Sequence, residues 1–320
     1  MKIVVTGGAG FLGQKLAHRL LQLGQINERP IGRIVLVDQA PAPDLGDARV
    51  EAVAADIADP HVMGGLIGPD VDLVFHLAAV VSGAAEADFD LGMRINLDAS
   101  RALLELCRRA GRRPRVVFTS SVAVYGGALP AVVTDETPLN PRSSYGAQKA
   151  IGELLLADYT RKGFVDGRIL RLPTISVRPG APNKAASSFA SGLVREPLNG
   201  QPTVCPVGLD LKLWLLSPRR AVDGLIAGAE LPSEAFGERR ALNLPGLSVS
   251  VGEMIAALRR AGGPAAVDLV RHAPDPAVEA IVGSWPAAWD NRRAEALGLK
   301  PDADFDAIVR AYVEDELKAR

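Results

Sequence analysis

Lys2-Ile3-Val4-Val5-Thr6-Gly7-Gly8-Ala9-Gly10-Phe11-Leu12-Gly13 reads as an apolar strand that runs straight into a glycine turn and then a helix. Gly7, Gly10 and Gly13 fall at G-x-x-G-x-x-G spacing. Glycine permits the tight turn, lets a pyrophosphate approach the backbone, and allows the helix to pack closely on its strand. The helix start at Phe11 and Leu12 then offers free N–H groups to phosphate oxygens. A purely structural turn is the alternative reading of the glycines alone.

The next strand strengthens the dinucleotide reading. Ile34 to Asp38 is a second apolar run, and its terminal acid stands twenty-five residues beyond Gly13. A carboxylate there accepts hydrogen bonds from the adenosine ribose hydroxyls and repels a 2′-phosphate. A surface-loop aspartate would carry no such meaning. Strand, glycine turn, helix, strand and acid come in the order that NAD binding requires, so NAD is expected rather than NADP.

Working outward, strand-like runs recur at Val50–Ala54, Leu73–Leu77, Arg115–Ser120 and Arg168–Leu172. Helix-like segments lie at Phe11–Leu23, Phe89–Ala110 and Tyr145–Lys162. Continuous apolar strands alternating with helices predict an α/β, Rossmann-type, doubly wound parallel sheet. After Leu172 prolines interrupt the chain, among them Pro173, Pro179, Pro197 and Pro218, and helices return at Val251–Ala261, Ala288–Leu297 and Phe305–Leu317. Residues 1–172 are therefore expected to bind NAD. Residues 173–320 are expected to form a smaller C-terminal substrate lobe, part of which rejoins the main sheet.

Composition narrows the classes. The 320 residues are 48% hydrophobic and 23% charged, with a formal charge of -1. That balance fills a globular core and gives no reason to expect nucleic acid or an anionic membrane as partner. The basic run around Arg108, Arg109 and Arg112 reads as a solvated helix end. Cys107 and Cys205 are too few for a disulfide framework and suit a reducing compartment. The apolar stretch Leu73–Val81 is too short to span a bilayer. A soluble, cytoplasmic protein without a bound metal is expected.

Tyr145-Gly146-Ala147-Gln148-Lys149 puts a phenol and an ammonium on one helix face. A cation beside a phenol favours its ionised form. An aromatic anchor beside a solvated lysine is the plain alternative. Upstream, Val116 to Ser121 is a strand ending in hydroxyls, and strand carboxyl ends face the ligand crevice in such sheets. Ser121 can therefore donate to a substrate oxygen as charge develops.

Taken together, these motifs resemble the extended short-chain dehydrogenase/reductases, the NAD-dependent epimerase/dehydratase family, over essentially the whole chain. The resemblance rests on Gly7 to Gly13, Asp38, Asp56-Ile57, His76-Leu77-Ala78-Ala79, Asn96, Ser121 and Tyr145 with Lys149. It implies that Asp56 and Ile57 flank the adenine, and that Leu77, Ala78 and Ala79 line the cofactor cleft. Asn96 would stand beside the active site and Pro173 near the nicotinamide. Tyr145 would be the general base, Lys149 would hold the nicotinamide ribose and lower the phenol pKa, and Ser121 would steady the substrate oxygen. A homodimer is implied by the same likeness.

The family's reactions differ, and the residues choose among them. Ser121 is followed by Val122-Ala123, without the acid pair that helps dehydratases eliminate water. Lys212 to Arg220 lacks the acidic positions that nucleotide-sugar enzymes carry there. The segments Leu170–Gly180, Asp90–Arg94, Arg161–Arg168 and Gly283–Pro286 resemble members that oxidise the 2-hydroxyl of small sugar acids, with D-erythronate as the implied substrate. Such an acid needs a cation and polar partners. Arg178, Lys184 and Arg219 are the candidate cations, with Arg178 preferred for its bidentate geometry. Ser82 and Asn183 are candidate polar contacts. The runner-up is a nucleotide-sugar or sugar 4-epimerase, and the non-enzyme rival is an NAD-sensing regulator.

Overall fold

A computed structural model describes residues 1–181 and 187–318. Six strands pair in parallel: β1 (Lys2–Thr6), β2 (Arg33–Asp38), β3 (Val50–Ala54), β4 (Val71–His76), β5 (Arg115–Ser121) and β6 (Asp166–Leu172). A seventh, β7 (Ala241–Asn243), adds at the β6 edge, giving the order β3-β2-β1-β4-β5-β6-β7. The order reverses between β1 and β4, and that reversal is the point where open α/β sheets bind ligands. Ile3, Val4 and Val5 of β1 and Val116, Val117 and Phe118 of β5 are buried. Helices cover both faces of such strands, which explains their unbroken apolar runs.

The chain forms two compact units. The first comprises Met1–Val124, Pro141–Leu172 and Val222–Leu242; the second comprises Tyr125–Asn140, Pro173–Ala221 and Asn243–Arg320. In the first unit, a returning segment is fastened at the base of β6. Arg240 donates to Gly167 O (2.8 Å) and to Asp166 (3.2 Å). Arg168, fully buried, lies 5.0 Å from the Phe236 ring centroid. The second unit has its own core, with Leu193, Cys205, Leu213, Met254 and Ile308 among its buried members. There Lys212–Leu216 pairs with Thr174–Ile175 and Leu247–Ser250.

Several elements differ from the sequence reading. Phe89–Ala110 is interrupted: a π-helical stretch, Met93–Asp98, separates Phe89–Gly92 from helix Ala99–Ala110. Ala288–Leu297 shrinks to Arg292–Ala296, because Ala288 O and Asp290 N bond to the backbone of Val133 instead. Val251–Ala261 extends to Asp268 across a break at Gly263. Pro218 does not interrupt a helix but begins one, Pro218–Glu230. A proline at the first helical position loses only an N–H that has no helical partner. Cys107 and Cys205 are buried and unpaired. Among the described residues, no helix is long and apolar enough to cross a membrane, and no cluster could hold a metal.

Candidate active site

The glycine turn follows β1 and leads into α1 (Phe11–Leu23). Gly7 takes φ +74°, and a Cβ there would stand 2.8 Å from Ala78 N. A Cβ on Gly13 would stand 2.2 Å from Gly7 O. Only glycine permits this crossing of turn, helix and the segment that follows β4 at Ala78. Gly10 is the helix N-cap, and no side chain caps the first turn. The N–H groups of that turn thus remain for an anionic ligand. Asp38 ends β2, and its Oδ2 accepts from Ala9 N (3.1 Å), which ties the acid to the glycine turn. A bare helix start, a turn without Cβ atoms and a carboxylate beside it fit a dinucleotide.

Asp56 is not left open. Arg94 donates to it at 2.5 Å. Burial alone would raise the Asp56 pKa, but the bonds from Arg94 and Ala58 N outweigh it and hold the carboxyl below its usual range. Ile57 is buried. Ser82 opens the short helix Ser82–Ala87.

His76, which the resemblance includes without giving it a role, organises the neighbouring segments. Ser100 Oγ donates to Asn96 O (2.7 Å), so toward His76 it can only accept. His76 Nε2, 2.8 Å away, is therefore the donor. Nδ1 then accepts from Thr6 Oγ1 (2.7 Å), which itself accepts from Ala78 N (3.3 Å). Burial, helped by the Lys149 charge, pushes the His76 pKa down to about 3, so the ring stays neutral. This chain links the β1 end and the Leu77-Ala78-Ala79 segment to the π-helical turn. Asn96, buried in that turn, accepts from Val80 N (2.8 Å) and donates to Val80 O (3.0 Å) and Gln148 Oε1 (2.7 Å). π-helical turns of this kind concentrate at functional sites.

Tyr145 and Lys149 lie on α2 (Ser144–Arg161), whose start is capped by Ser143 Oγ accepting from Gly146 N (3.1 Å). A Cβ on Gly146 would stand 2.2 Å from Ala123 O, so glycine lets the helix start press against the turn after Ser121. That contact brings the Tyr145 phenol to Ser121, whose hydrogen bond lowers the phenol pKa. Crowding by protein atoms is the larger effect and pushes the phenol up to about 12. Lys149 Nζ donates to Thr119 O (2.9 Å) and lies 5.7 Å from the Tyr145 ring centroid. Burial brings its pKa down to about 8, with Glu153 opposing. In this arrangement the phenol stays above its ordinary value, because desolvation outweighs the Ser121 hydrogen bond. Serine, phenol and ammonium are together in the first unit and can receive a proton from a hydroxyl.

In the second unit, Pro173 follows β6 and is buried. Arg178 is partly buried; its N–H donates to Ser191 Oγ (3.1 Å) and its carbonyl accepts from Arg195 (2.9 Å). Burial, then the Arg195 charge, lowers its pKa, and among the described residues no carboxylate pairs with it. Arg219 is committed elsewhere, to Glu314 (2.9 Å) and Asp315 (2.5 Å), which removes it as a free cation for substrate. Asn183 and Lys184 lie outside the described residues.

Residues 3–220 match the model of the NAD dependent epimerase/dehydratase family, and the chain belongs to that family. Its cofactor is NAD. It is 61% identical over 319 residues to a D-erythronate dehydrogenase of Cupriavidus necator, covering 98% of both chains. It is 44% identical to a D-erythronate dehydrogenase of Haemophilus influenzae, covering 99% of this chain and 100% of that one. The crystal structure of a nucleoside-diphosphate-sugar epimerase from Agrobacterium tumefaciens superposes with a TM-score of 0.95 at 46% identity, over 100% of this chain and 95% of that chain.

Proposed function

We propose that this chain is an NAD-dependent D-erythronate dehydrogenase, oxidising the 2-hydroxyl of the four-carbon acid to the 2-oxo acid. The observation that carries the reading is the full-length 61% identity to the Cupriavidus necator enzyme. The site supports it with a phenol, an ammonium and a serine hydroxyl placed for proton removal from an alcohol.

Gly7, Gly10, Gly13, Phe11 and Leu12 would hold the NAD pyrophosphate, and Asp38 the adenosine ribose. Asp56 and Ile57 would flank the adenine. Leu77, Ala78, Ala79, Asn96 and Pro173 would line the rest of the cofactor's length. Bound NAD supplies the hydride acceptor and, in its oxidised form, a positive ring. The chain's own residues manage the proton. Ser121 donates to the reacting oxygen and orients it. Tyr145 Oη, as phenolate, takes the hydroxyl proton as the carbon–hydrogen bond is lost. Lys149 stays charged and offsets the phenolate. Ser82 and Asn183 are the proposed partners of the remaining hydroxyls.

Arg178 is the proposed carboxylate anchor. Its burial and the neighbouring Arg195 both disfavour its charge, and a bound carboxylate relieves both. Losing a charge-assisted hydrogen bond costs about 1.5–3 kcal/mol. Arg178→Ala should therefore lower kcat/KM for D-erythronate at least about tenfold, with NAD affinity little changed. Steady-state rates on D-erythronate and on the uncharged polyol erythritol check this. Equal wild-type rates on the two would defeat carboxylate recognition. A silent Arg178→Ala with preference for the acid would move the anchor to Lys184.

The epimerase reading, suggested by the name of the Agrobacterium protein, predicts tightly held cofactor and no net NADH. We further propose a homodimer in the cytoplasm. Ile151 and Leu154 on α2 and Phe89 leave large apolar side chains exposed, with Leu154 at 68%. Exposed apolar side chains of this size are what an association surface would cover. Sedimentation at twice the chain mass, and recovery from the soluble cell fraction, are the expected outcomes.

A further inference from the structure

A buried acid stands one turn beyond Lys149. Glu153 lies four residues further along α2, on the same helix face, and is 3% exposed against 1% for Lys149. Glu153 Oε1 accepts from Ser120 Oγ and from Arg171 Nε (2.9 Å), and Oε2 accepts from Arg171 Nη2 (2.6 Å). Ser120 and Arg171 are register partners on β5 and β6, so two adjacent strands fix one carboxylate. Thr119, next to Ser120, supplies the carbonyl that receives Lys149 Nζ. Among the described residues, the charged and titratable groups around Lys149 are Tyr145 and Glu153 on α2, neutral His76 on β4, and Arg171 on β6 behind the carboxylate. The Phe118 ring, 4.7 Å from Nζ to its centroid, closes the environment.

We propose that Glu153 is a positioning residue for proton removal: its strand-clamped carboxylate favours the protonated Lys149 and so raises the share of the Tyr145–Lys149 pair that carries phenolate beside ammonium. The proposal rests on reading Tyr145 and Lys149 as the working pair.

A pair that has lost one proton is either phenolate with ammonium or phenol with amine, and only the first puts the base on the phenol oxygen. Interacting groups share their titration, so one apparent pKa belongs to both. Burial drives Lys149 toward the amine, and Glu153 opposes it. Neutralising Glu153 should therefore do two linked things. The pair loses its proton at lower pH, and a smaller share of it is phenolate. Removing the Arg171 charge does the reverse, since the carboxylate then acts on Lys149 unscreened.

The test is the pH profile of kcat/KM for the alcohol oxidation in full-length variants. E153Q should lower the plateau about tenfold and move the inflection down about one pH unit, one unit being a tenfold change. R171Q should move the inflection up, with the plateau at or above that of wild type. E153Q/R171Q, which removes both members of the ion pair, should fall between E153Q and wild type, and E153D should restore the wild-type profile. If E153Q does not fold, the double variant and R171Q carry the test. Loss of rate at every pH with unmoved inflections means the ion pair only supports the fold, and overturns the proposal. An active Tyr145→Phe enzyme would instead sink the underlying reading of the pair.

Discussion

Tyr145→Phe should lower kcat for sugar-acid oxidation by about a hundred- to ten-thousand-fold, the usual range for loss of a general base. The substitution removes one oxygen and keeps the ring, so helix packing and the dinucleotide turn are left intact. Ser121 and Lys149 still orient and polarise, but nothing at that position takes the proton. NAD affinity should change little, because the glycine turn and Asp38 lie at the ends of β1 and β2 rather than on α2. Rapid-mixing kinetics with a parallel NAD titration separate these effects. Near-normal kcat in the variant would assign the base to another group, while lost NAD binding would make Tyr145 a structural residue.

Gly13→Ala should nearly abolish NAD binding, and this is the largest effect expected outside α2. Its Cβ would stand 2.2 Å from Gly7 O, a backbone atom, and the Cβ itself is fixed by the helix backbone. Relief requires a shift of about an ångström between α1 and the turn, since neither side chain nor rotamer can yield. Overpacking of this kind costs about 1–3 kcal/mol of stability. The same shift moves the uncapped helix start proposed to hold the pyrophosphate. Affinity should fall at least about a hundredfold, equal to about 2.7 kcal/mol. Calorimetric titration with NAD reads the affinity and thermal unfolding reads the strain. An alanine variant with unchanged Kd would show that α1 does not carry the phosphates.

These two positions were also the most legible. Strands buried on both faces must be apolar throughout, so β1, β2 and β5 announce themselves as unbroken runs. The glycines and the Tyr145/Lys149 spacing are local, and local chemistry is written locally. What depends on distant partners was not readable. Glu153 looks like an ordinary surface acid until the register of β5 with β6 places Ser120 and Arg171 beside it. Arg219 looks like a free cation because Glu314 and Asp315 lie nearly a hundred residues further along. Asn96 sits in the π-helical turn and bonds to Val80, sixteen residues earlier, a partner that the local helical pattern does not reveal. The pairing of Val133 with Trp289 cut short a helix that its own sequence favours.

The central claim is that hydride leaves carbon 2 of a small sugar acid for NAD. D-erythronate deuterated at carbon 2, incubated with the full-length enzyme and NAD, tests it most directly, with both products analysed by mass spectrometry. Deuterium should appear in the reduced cofactor, with an equal amount of unlabelled 2-oxo acid. Deuterium retained in the sugar acid, or an epimerised acid with no net reduced cofactor, would contradict the claim.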